Sequence, residues 1–236
     1  MGKVIYPRKG EVHTAPVTIR PNFADNSWAA IIAACETNTV PDTWLVGDQK
    51  TMTINGTDYP IDIIGKNHDT YSDGSGTAPL TFQMHDCYAE KNRMHSAATN
   101  SVGWTNCEMR ITTLPSILAL MPSEVQFGIK EVEKITGVGG NSYTLGTTAD
   151  KLFLLSEVEV LGSTSTTPAG EGSRYAYYSA GNNVVKNIGT SAQWWWLRSP
   201  RIGDSSVQSY TQISTAASIS SAGANQSRAI SFAFCF

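Results

Sequence analysis

A mixed α+β domain of short helices and a small antiparallel sheet is the fold class this sequence predicts. Three observations point to it: an amphipathic helical stripe near the start, a hairpin signature at Asn55-Gly56, and a closing run, residues 230–236, that alternates large and small side chains. At 236 residues, with 41% hydrophobic and only 16% charged, the chain carries enough apolar material to bury a full core.

Residues 1–22 hold Pro7, Pro16 and Pro21 beside Arg8 and Lys9, which suits an extended arm for attachment or oligomerisation better than a core. The domain proper is expected over residues 23–236. Asp25 or Asn26 supplies a helix cap, and Trp28, Ile31, Ile32 and Cys35 recur on one helical face, giving a helix to about Glu36. Asn55-Gly56 suits the positive φ angles of a tight hairpin, so residues 51–54 and 57–64 read as paired strands. A polar loop, 68–76, precedes an apolar strand at 80–84. Its two aspartates, Asp69 and Asp73, are too few oxygens for calcium, and loops use aspartate to bond their own backbone.

Residues 108–120 and 122–134 read as two helices. The second carries Val125, Ile129 and Val132 as its apolar stripe, and Ser123 with Gln126 resembles a capping box. Residues 152–155 and 157–160 read as a buried strand running into an alternating one, and 162–172, dense in Ser, Thr and Gly, as a flexible loop. Tyr175, Tyr177 and Tyr178 are expected to pack rather than to bind.

A net charge of -3 gives no electrostatic reason to expect nucleic acid or an anionic membrane as partner. Neither a long apolar span nor a signal-peptide pattern is present, so neither membrane insertion nor export by that route is expected. Cys35, Cys87, Cys107 and Cys235 are spread singly and read as buried thiols, a Cys87–Cys107 bridge being the geometric alternative. His13, His68, His85 and His95 fall in no metal-ligand spacing, and no nucleophile elbow, phosphate loop or dinucleotide fingerprint occurs. On an extended segment, His85-Asp86-Cys87 point to alternate faces and form no relay. No catalytic residue, metal or cofactor is expected.

The anchor Trp194-Trp195-Trp196-Leu197-Arg198-Ser199-Pro200 is built for burial, with Arg198 holding loop carbonyls rather than a ligand. Taken as one extended stretch, residues 207–219 put Val207, Thr211, Ile213 and Ile219 on a core face and Gln208, Tyr210, Gln212 and Ser214 outward. Small polar side chains around a tyrosine suit recognition by adaptable hydrogen bonds. The flanking turns bring Arg201, Ile202, Asp204 and Ser206 on one side and Asn225 and Gln226 on the other, completing the candidate ligand-binding set. Residues 230–236 read as a central strand buried on both faces.

Several runs together resemble the C-type-lectin-like proteins of bacteria and phages, related to the formylglycine-generating enzyme fold and often diversified by retroelements. They are Ile64-Gly65-Lys66-Asn67-His68-Asp69, Thr81-Phe82-Gln83-Met84-His85-Asp86-Cys87, Glu108-Met109-Arg110, residues 154–160 and Trp195-Trp196-Leu197-Arg198-Ser199-Pro200. The blocks occur in family order over about residues 25–236. The resemblance implies a fixed frame displaying residues 201–226 to a protein or glycan, at a phage tail tip or on a bacterial cell surface. A purely structural tail subunit that engages its neighbours through residues 1–22 is one alternative, and the resemblance brings another, a copper-dependent oxidase. That activity needs a close pair of cysteines near the C-terminus, where this chain has only Cys235.

Overall fold

A computed structural model describes residues 17–203 and 207–236. A short 3-10 turn, Phe23–Asp25, leads into helix α1, Trp28–Glu36. The cap of α1 is Ser27, whose hydroxyl accepts from the Ala30 amide at 3.1 Å; Asn26 is instead buried and tied to Arg20 and Asn22. Strands β1, Gln49–Ile54, and β2, Thr57–Lys66, form the expected hairpin, with Asn55 and Gly56 at φ of 48° and 78°. Strand β3 is Leu80–Met84.

The middle of the chain is less helical than its apolar stripes suggest. Helix α2, Gly103–Asn106, is followed by a π turn, Met109–Thr113, and by α3, Leu114–Leu118. Helix α4 spans only Ser123–Gly128. The Gln126 side chain reaches back to the Ala119 and Met121 carbonyls rather than closing a capping box. Residues 132–134, expected as helix, begin strand β4, Val132–Gly137, which pairs with β5, Leu145–Asp150. Strand β6 is Leu152–Phe153.

Residues 157–160, expected as an alternating strand, form helix α5, Glu157–Leu161. Ser156 and Glu159 close a reciprocal capping box there, and Gly162 ends the helix at φ 80°. Helix α6, Ala176–Ser179, and strands β7, Lys186–Ile188, and β8, Ser191–Gln193, lead to β9, Trp195–Pro200. Burial of the anchor starts at Trp195, since Trp194 is 40% exposed. The stretch 207–219 is not one strand. It is β10, Ser209–Ile213, a turn, and the start of β11, Ile219–Gly223. Strand β12, Ala233–Cys235, closes the chain.

The molecule is thus a mixed α+β fold with few short helices and small antiparallel sheets. The largest sheet runs β1-β2-β3-β12-β6, and a second runs β11-β10-β9. β12 sits inside the first, Phe234 lying opposite Phe82 on one side and Leu152 on the other, so the closing run is buried on both faces as expected. Around it Phe82, Phe234, Phe236 and Trp28 pack ring against ring at 5.2–6.0 Å. All four cysteines are free and buried, so the Cys87–Cys107 alternative is not realised. No described helix is long and apolar enough to cross a membrane.

Candidate binding surface

Under the surface lies a set of buried charges. Arg198, on β9, has no exposed area and meets Glu159 of α5 with both terminal nitrogens. It also donates to the Leu154 carbonyl at 2.9 Å, the Ile135 carbonyl at 3.1 Å and the Thr136 hydroxyl at 2.7 Å. The expected carbonyl-holding role is therefore found, with Glu159 rather than the tryptophans as main partner. Lys134, on β4, bridges Glu159 and Asp69 and accepts no water-facing position. Burial alone would raise the Asp69 pKa, but Lys134 beside it and the Thr81 hydroxyl hold it down at about 2. Glu171 differs: burial pushes it up to about 7, against the opposing pull of the Gly137 amide and the Ser199 hydroxyl.

Loops from several segments converge beside this frame, and Asn100 ties them. Its side-chain amide donates to the Arg201 and Ser209 carbonyls, both at 2.9 Å, while its oxygen accepts from the Gly140 amide at 3.1 Å. Its own amide donates to the Val207 carbonyl at 2.8 Å. Gly139, at φ 80°, lies so close that a β-carbon there would overlap the Asn100 carbonyl. The Gly203 amide reaches Asn141, and the Ile202 amide reaches the Thr166 carbonyl. The stretch 162–172 is pinned rather than free. The buried Glu157 carboxylate collects Ser165, Thr166 and Thr167, and Ser156 holds the Glu171 carbonyl. A hydroxyl-rich sequence here is a wrapping for an anion, which its composition alone does not distinguish from a flexible loop.

Residues 80–235 match the family described as Domain of unknown function (DUF6273). The chain belongs to the DUF6273 family. No curated protein and no solved structure matches the chain.

In this DUF6273 chain the candidate ligand-binding residues fall into separate groups. Gln208, Asn225 and Gln226 are exposed and Arg201 and Ile202 partly so, while Asp204 and Ser206 lie outside the described residues. Tyr210, Gln212 and Ser214 are 0%, 2% and 3% exposed, which corrects their assignment to an outward face. β10 is the middle strand of its sheet, covered on both faces, so alternation along it does not separate core from solvent. The Tyr210 hydroxyl donates to the Gly103 carbonyl, Gln212 is held by Arg228, and Ser214 anchors the turn into β11. Arg201 crosses to the Ser221 hydroxyl at 2.9 Å.

The DUF6273 surface also presents residues outside the candidate set. Val138, Tyr143 and Leu145, on the β4–β5 hairpin, are 38%, 74% and 37% exposed and stand next to the Asn100-tied loops. A signal was available in the sequence: residues 135–149 contain no Asp, Glu, Lys, Arg or His, so their apolar members had no charge to keep them soluble. Elsewhere, His85 Nδ1 sits 2.8 Å from Asp62, a hydrogen bond that raises its pKa. Asp86 turns to Asn187 and Cys87 is buried, so the triplet forms no relay. Asp69 is committed to the frame and Asp73 to its own turn at Ser75. A cleft of about 970 Å³, bordered by Tyr71, Asp73, Phe127, Lys130 and Lys151, lies on loop 71–77 and the α4–β4 connection. Tyr175 and Tyr178 are wholly buried and Tyr177 nearly so, as packing residues should be.

Proposed function

We propose that the chain is a non-catalytic binding module of C-type-lectin-like fold. In this reading it is a receptor-binding or adhesive protein of phage or prophage origin that engages a protein or glycan on a cell surface. The observation that carries the reading is a division of chemistry. Arg198, Lys134, Asp69 and Glu159 satisfy one another inside, whereas the Asn100-tied loops offer, beside the partly exposed Arg201, uncharged Tyr, Val, Leu, Ser and Asn side chains outside. Rigid aromatic anchors among small polar groups are what adaptable recognition loops use.

Burial of Tyr210, Gln212 and Ser214 narrows the reading set to Arg201, Ile202, Gln208, Asn225 and Gln226 and adds Val138, Tyr143 and Leu145. A retroelement acting on residues 201–226 would find its tolerated changes at the exposed positions. Such a protein belongs on a virion or a cell surface. The oxidase alternative needs two thiols that share copper. Cys107 donates to the Trp104 carbonyl and Cys235 faces Thr81 and Asp69, and burial raises both pKa values, which supports the binding reading.

The test applies the purified chain to an array of bacterial surface glycans and to intact bacterial cells, with and without protease treatment. The expected result is binding to one of these probes that Tyr143→Ala and Gln208→Ala each abolish at an unchanged melting midpoint. A chain that binds none of the probes, or whose binding survives both substitutions, overturns the reading.

A further inference from the structure

The β4–β5 hairpin is covered along one edge and, among the described residues, met along the other only at Ala149, by Arg110. On the β4 side the Glu133 amide donates to Thr70 at 2.9 Å, the Ile135 carbonyl accepts from Arg198 at 3.1 Å, and the Gly137 amide donates to Glu171 at 2.7 Å. Because the Glu133 amide turns away from its register partner Ala149, the pairs Glu133–Ala149, Ile135–Thr147 and Gly137–Leu145 are the non-hydrogen-bonded ones. The backbone groups of Leu145, Thr147 and Ala149 therefore point outward from β5. The Ala149 carbonyl accepts from Arg110 at 3.1 Å. Among the described residues no backbone group meets Leu145 or Thr147 along that edge.

Sheet edges are ordinarily defended by lysine, proline, a bulge or a covering loop. Among the described residues this one has only the Arg110 side chain, at Ala149. Residues 135–149 contain no Lys and no Pro, and the β4–β5 ladder runs without a register shift. Ile135 and Leu145 stand exposed on the adjoining face at 39% and 37%.

We propose that the outer edge of β5 is an interface between two copies of this chain. The strands pair antiparallel about a two-fold axis at Thr147 and join the two hairpins into one continuous sheet. Thr147 faces its own copy and exchanges both backbone bonds, and Leu145 faces Ala149, whose carbonyl has a second lone pair beside the Arg110 bond. The side chains at the axis, Gly146, Thr147 and Ala149, are small enough for close approach. Charge decides the occupant. Copies of a chain with net charge -3 repel one another in general, and the uncharged stretch 135–149 lets two of them meet without opposing like charges. An extended peptide from a different protein would need no such self-match.

Sedimentation equilibrium of the full chain tests this up to roughly 1 mM, where even an interface of about 4 kcal/mol is populated. Thr147→Pro removes an amide that the hairpin does not use internally, and Thr147→Lys sets like charges across the axis while leaving the backbone intact. The expected result is a wild-type dimer that each variant weakens at least tenfold. Thr147→Lys is to show partial recovery in high salt and an unchanged melting midpoint. A wild-type chain that stays monomeric, or a dimer indifferent to Thr147→Lys, overturns the proposal.

Discussion

Replacing Arg198 by methionine would test the buried frame most directly. The methionine fills comparable space but leaves the Glu159 carboxylate, 2% exposed, with Lys134 as its remaining counter-charge and the Ser156 amide as its remaining neutral donor, and strips donors from the Leu154 and Ile135 carbonyls and the Thr136 hydroxyl. Breaking one side of a buried ion pair costs about 3–5 kcal/mol. Each orphaned acceptor adds about 1–3 kcal/mol, though these losses overlap where the side chains relax together. A net loss of about 5 kcal/mol follows, a large share of the roughly 5–15 kcal/mol that holds a domain folded. For a chain of this size it lowers Tm by about 10–20 °C. Urea unfolding followed by circular dichroism measures it. Adding Glu159→Gln removes the stranded charge while Asp69 still pairs with Lys134, so the double variant should recover about 1–2 kcal/mol. A loss under about 1 kcal/mol for Arg198→Met, or a double variant less stable than the single, would refute the reasoning.

Glu171 has a folded pKa of about 7 against an ordinary 4.5, so its contribution is full below pH 4.5 and lost as pH rises towards 7. Urea unfolding at stepped pH should show Glu171→Gln removing that part of the slope, and an unchanged slope would withdraw the assignment. Asp69→Asn should remove the opposite limb, the stability lost as pH falls from 3.8 towards about 2. Asn100→Ala should speed hydrogen exchange at the Gly140 amide by at least tenfold while β12 stays protected, because its contacts join loops and not the core. With an aromatic disulfide reagent the native chain should release almost no thiol and the denatured chain all four, since burial raises every cysteine pKa.

What the sequence made legible was set by short-range chemistry. Asn55-Gly56 announces its hairpin because two residues with positive φ are a local requirement, and Phe232, Phe234 and Phe236 announce burial by bulk alone. Helix α1 was legible from its stripe, although the hydroxyl of Ser27 caps it rather than Asp25 or Asn26. The misread elements have apolar spacing that fits two structures. Val158 and Val160 alternate with glutamates as a strand would, yet Ser156 and Glu159 carry a capping box that outweighs the alternation. Val132 continues a helical stripe from Val125 and Ile129, but pairing with Asp150 draws it into a sheet. β10 was misjudged because the layer that covers Tyr210 comes from Gly103, far away in sequence. The proposed surface was half legible for the same reason: residues 201–208 stand out by composition, whereas Asn100 acquires its tie to the loops at Gly140, Arg201 and Ser209 only in the fold.

The buried frame also sets how much of this chain must be present for any of it to fold. Its members are Asp69, Lys134, Glu159 and Arg198, so no contiguous half of the chain contains all four. The family match begins at residue 80, after Asp69 and after β1 and β2, both partners in the large sheet. A fragment cut at that boundary would leave β3 as a raw edge and the Lys134 ammonium short of one counter-charge inside an apolar core. The matched segment and the segment that carries the whole charge frame are therefore different lengths of chain. Because β12 lies between β3 and β6, the large sheet is continuous only when the segment beyond Arg198 is present.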